Sequence, residues 1–66
     1  MDKDEIKKEV GKIRKFILNG GREYTGKVVS VSDVNKTNVL VHLKDKYGII
    51  IKFLSSDVMA VEEILV

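Results

Sequence analysis

The chain has no cysteine, no proline, no tryptophan and a single histidine, His42. Each absence excludes something. Without cysteine there is no disulfide framework and no thiolate metal site. One histidine cannot assemble a zinc centre alone, so neither a metal nor another cofactor is expected. No apolar run approaches the roughly 20 residues of a membrane-spanning helix. The charged start, MDKDEIKKEV, lacks the apolar core of a secretion signal. These features lead to an expectation of a cytoplasmic protein without membrane contact.

What is present is a chain of 66 residues, 44% hydrophobic and 33% charged. A domain this small buries only about 60% of the surface that its unfolded chain exposes. Its core therefore contributes little surplus stability, and small domains add disulfides, metals or partner subunits. With the first two excluded, self-association is the natural supplement. The net charge is +2. That mild excess permits a polyanionic partner without demanding one.

The pattern along the chain predicts one domain over residues 1–66, a helix over 1–11 followed by five strands over 12–64. Asp2 can cap the helix, with Glu5 at the capping-box spacing. Ile6, Val10 and Ile13 form a narrow apolar stripe, and Gly11 ends the helix. The β-rich run IRKFIL then meets Asn19-Gly20-Gly21, a strong hairpin signal because such turns need positive φ. Arg22 to Ser32 forms a long second strand. In it Val31 is out of phase with Val28, so a bulge near Val29-Ser30 is expected. Gly26 marks a sharp bend or a close backbone approach.

After a polar loop, Asp33 to Asn38, the segment VLVHL alternates. Val39, Val41 and Leu43 share one face, Leu40 and His42 the other. Lys44-Asp45-Lys46 turns the chain into a fourth strand, Tyr47 to Leu54, with Ile49, Ile51 and Phe53 facing the core. Ser55-Ser56-Asp57 reads as one turn of 3₁₀ helix, and Met59 to Ile64 as the last strand. The fold class is mostly β: an N-terminal α-helix followed by a five-stranded, strongly bent small barrel.

Little points to catalysis. His42 is the only imidazole general-base candidate, and its alternation places it outward as a surface or interface residue. Asp33, Asp45 and Asp57 occupy turns, where Asp bonds its own backbone. No nucleophile triad, phosphate loop or carboxylate pair stands out. The chain is read as a binding or assembly protein, with no small-molecule substrate.

Residues Phe16 to Val28, FILNGGREYTGKV, look like the first motif of the Sm-like family, which includes the LSm and Hfq proteins. Asn38-Val39-Leu40-Val41 is similar to the Asn-led third strand of that motif. The likeness spans roughly residues 12–64, and SH3-like barrels are its architectural neighbour. The pattern departs from the family in the loop, where Asp33 and Asn38 are five apart and Asn35 stands at the stacking position. It also has Leu54-Ser55 in place of Arg-Gly.

The resemblance implies a homo-oligomeric ring in which the fourth strand of one subunit pairs with the fifth of the next. Ile50, Lys52, Leu54, Val58 and Ala60 would form that interface. It also implies a single-stranded RNA partner, gripped by Asp33, Asn35, Lys36, Asn38 and Lys52. The alternative is an SH3-like protein-interaction or structural assembly module without nucleic acid.

Overall fold

Asp2 starts the first element of the computed structural model, which describes residues 1–64. Its carboxylate accepts from the Asp4 N–H at 2.9 Å, capping α1 (Lys3–Lys7). The helix ends sooner than its apolar spacing predicts. The Gly11 N–H donates to the Val28 carbonyl, and the Val28 N–H donates to the Lys12 carbonyl. The second strand thus captures the backbone before a third helical turn can form. Only Ile6 of the expected stripe is buried, while Val10 and Ile13 are exposed.

Five strands follow: β1 (Ile13–Leu18), β2 (Glu23–Asp33), β3 (Val39–Lys44), β4 (Ile50–Leu54) and β5 (Val58–Glu63). A single 3₁₀ turn, Ser55–Asp57, separates the last two. They form one antiparallel sheet in the order β4-β3-β2-β1-β5.

This sheet curls strongly. Phe16 on β1 and Phe53 on β4 have ring centroids 5.1 Å apart, although β2 and β3 lie between their strands. In a flat sheet, three strand spacings would separate them by roughly 14 Å. Tyr24 stacks on the same Phe53 ring at 6.4 Å. The concave side holds Ile6, Phe16, Leu18, Val28, Val39, Val41, Leu43, Phe53 and Val58.

Two features of β2 produce the curl. The register jumps from Val28↔Leu43 to Ser30↔His42, so Val29 is an extra residue. This bulge returns Val31 to the concave side opposite Val41, as the phase of the sequence requires. Gly26 lets β2 lie against the end of β3. A Cβ there would stand 2.3 Å from the Lys44 carbonyl oxygen.

Strand four is shorter than expected. Asp45 accepts from the Tyr47 and Ile49 N–H groups, each at 2.9 Å, and Gly48 has φ +83°. These bonds hold Asp45 to Ile49 as a turn. Ile49 is therefore 59% exposed rather than buried. The final strand begins at Val58 and ends at Glu63, one residue earlier at each end than its apolar pattern indicates.

The sheet does not close by hydrogen bonding, because its end strands, β4 and β5, do not pair with each other among the described residues. No helix among those residues is long and apolar enough to cross a membrane.

Replacing Gly26 with Ala should destabilise the domain by about 3 kcal/mol, because backbone atoms must move. Gly20→Ala faces open space and carries only positive-φ strain, about 1 kcal/mol. Urea unfolding of both variants checks that order.

Candidate functional site

Three surface regions gather the residues with binding chemistry. The first is the pair of end strands. One edge of β4 bonds β3 and one edge of β5 bonds β1; the opposite edges carry no strand among the described residues. Such an edge presents N–H and C=O groups ready to pair with another chain. On β4, Ile50 and Lys52 are exposed and Leu54 is half-buried, while Phe53 points inward. On β5, Val58 is buried in the core, its N–H donates to the Ser55 carbonyl and its carbonyl accepts from the Met1 ammonium at 3.4 Å, while Ala60 is half-buried.

Met59 is absent from the sequence-based interface and is 62% exposed. The register jumps from Ile17↔Ala60 to Leu18↔Val58, which makes Met59 a bulge residue. No glycine or phase shift of the kind seen in β2 signals it.

The second region is the β2–β3 loop. Asn35 Oδ1 accepts from the Thr37 N–H and hydroxyl and from the Asn38 N–H, all within 3.0 Å. This is an Asx-type turn. Asn38 Oδ1 accepts from the Ser56 N–H at 3.0 Å and the Ser55 hydroxyl at 3.1 Å. The oxygens of both asparagines are thus engaged within the fold, whereas Lys36 is exposed.

Asp33 forms an ion pair with Lys7 at 2.9 Å, which ties α1 to the end of β2. The Lys7 hydrogen bond holds the Asp33 carboxyl below its ordinary pKa, and the Asp33 hydrogen bond raises Lys7. Of the expected RNA-contacting residues, Asp33, Asn35, Lys36 and Asn38 share this loop. Lys52 stands apart, opposite His42 on β3.

Ser55 organises this end of the molecule. It is fully buried, and its hydroxyl oxygen accepts from the Val39 N–H at 3.0 Å while donating to Asn38. In the same 3₁₀ turn, the Asp57 carbonyl accepts from the Asn19 N–H at 2.8 Å. One short turn thereby anchors both the β1–β2 turn and the β2–β3 loop. The sequence identifies the turn, but a serine there gives no signal that distinguishes a buried bridge from a solvated one.

The third region is a groove of about 530 Å³ between the starts of β1 and β2 and the β3–β4 turn. Ile13, Tyr24, Tyr47 and Ile51 supply its apolar lining, with Lys27, Lys44 and Lys46 around them. Tyr47 is 76% exposed, and the Lys46 ammonium sits 5.1 Å from its ring centroid, a cation–π distance.

His42 is half-buried on the convex face. Its Nδ1 lies 3.1 Å from Ser30 Oγ, and its buried Nε2 has no hydrogen-bond partner among the described residues. No group of three metal-ligating side chains occurs among those residues.

Ser55→Ala should cost about 1–3 kcal/mol, because the buried Val39 N–H loses its acceptor. Ser56→Ala removes no such bond and should be near neutral by the same unfolding assay. The Lys7–Asp33 pair adds a pH signature. A lowered carboxyl stabilises the fold above its unfolded value, about 3.9, and that contribution disappears as the pH falls through the folded value. Asp33→Asn should flatten the acid limb of stability against pH.

No protein-family model matches the chain, and no match to it was found among curated proteins or solved structures.

Proposed function

We propose that the chain is a self-assembling Sm-like domain that closes head-to-tail into a cytoplasmic ring and binds single-stranded RNA there. The observation that carries the reading is that the outer edges of β4 and β5 pair with no strand among the described residues. Joining the β4 edge of one copy to the β5 edge of the next would pair the backbone groups that remain open on both. The contact is heterologous, so it repeats until it closes. It also covers Ile50, Leu54 and Met59, which a lone domain leaves partly exposed. The curled sheet is then completed as a barrel-like wall between copies.

The RNA part rests on the sequence resemblance and on Lys36 and Lys52. Both are exposed, and neither makes an ion pair among the described residues. Phosphate binding by such lysines is salt-dependent. A second reading, an SH3-like assembly module without nucleic acid, is favoured by the internal use of the Asn35 and Asn38 oxygens.

Light scattering of the native chain should give a mass several times that of the 7.5 kDa monomer. A monomer at high concentration contradicts the assembly. Oligo(U) or oligo(A) should bind at low salt. Lys36→Ala with Lys52→Ala should lower the salt slope by about 0.7 for each phosphate that is no longer neutralised. Assembly with no binding to either oligonucleotide selects the second reading.

A further inference from the structure

We infer that the groove beside the β3–β4 turn receives the end of β5, Glu62-Glu63-Ile64, from a neighbouring copy. This rests on the head-to-tail reading and adds to it a side-chain lock that strand pairing alone does not require.

Charge is the first argument. The two carboxylates lining the groove are already engaged, Glu23 by Lys15 and Asp45 by the amides of its own turn. The three lysines of the groove, Lys27, Lys44 and Lys46, make no ion pair among the described residues. The groove therefore carries surplus positive charge. The end of β5 is its complement. Glu62 lies 3.9 Å from Lys15, and Glu63 lies 3.8 Å from Arg14. Each of those cations holds a closer carboxylate, Glu23 for Lys15 and Glu9 for Arg14. The Glu62 and Glu63 side chains remain 54% and 73% exposed.

Strand direction is the second argument. In antiparallel pairing, a neighbour's β5 that begins beside Leu54 runs back toward Ile50. Its last residues then arrive at the start of β4, where Tyr47 and Ile51 line the groove. Ile64 follows the two glutamates and is partly exposed in its own chain. It meets an apolar lining there, including the exposed Ile13. Tyr24 is stacked on Phe53, so its ring is not a bare platform for a nucleotide base.

A charge swap tests the inference, with circular dichroism confirming that each variant is folded. K44E/K46E should raise the concentration at half-dissociation by about tenfold, and adding E62K/E63K should restore assembly. The swapped glutamates also touch Lys15 and Arg14, so a second measurement is independent of rescue. The chain has no tryptophan, and Tyr47→Trp places a single reporter in the groove. Its emission should shift to the blue as the protein assembles.

Assembly unaffected by K44E/K46E overturns the groove lock and leaves the strand pairing standing. So does a reporter that stays solvent-exposed in the assembled protein, or one that responds to oligo(U) rather than to concentration. A wild-type chain that never assembles overturns the head-to-tail reading itself.

Discussion

The fold depends on one strand serving two halves of a curled sheet. β2 is 11 residues long and pairs with β1 along its first part and β3 along its second. A straight strand would put Val28 and Val31 on opposite faces and would keep Phe16 away from Phe53. The extra residue at Val29 corrects the phase, and the missing side chain at Gly26 lets the Lys44 carbonyl come close. With both in place, β1 and β4 face each other across a core that a 66-residue chain can fill. Ile6 from the short helix adds to the same core.

The curl leaves an uneven surface. At one end the 3₁₀ turn draws Asn19, Asn38 and Val39 onto Ser55 to Asp57. Polar residues that read as ligand-binding groups in the sequence serve there as structural bonds. At the other end the β3–β4 turn is closed by Asp45, and its exposed tyrosine and lysines border a groove. Between them, β4 and β5 end the sheet with edges that pair with no strand among the described residues. Small sheets with such edges either blunt them or use them. Apolar Ile50 and Met59 beside those edges agree with use.

Much of the fold was legible because it follows from periodicity. The alternation of Val39, Val41 and Leu43, the phase error at Val31, the Asn-Gly-Gly turn and the buried Gly26 all correspond to the structure. Two of the misses share a cause: hydrogen bonds that hold the backbone outranked the apolar side-chain pattern. Gly11 and Lys12 joined the β2 ladder, which shortened the helix and left Val10 outside. The Asp45 turn took Ile49 out of β4. Ser55 and Met59 were invisible because burial of a serine and a bulge without glycine leave no periodic trace. For the proposed site, the sequence supplied the residue types, whereas the internal use of the Asn35 and Asn38 oxygens emerges only when the loop and the 3₁₀ turn are seen together.

The central claim is that the outer edges of β4 and β5 are bonded to other copies of the chain. Hydrogen exchange of the backbone amides in these two strands, followed over a range of protein concentrations, tests it directly. The outward-facing amides of Ile50–Leu54 and of residues 59–63 should be protected in concentrated protein and should exchange rapidly on dilution, while β2 and β3 stay protected throughout. Rapid exchange of both edges at every concentration would contradict the claim.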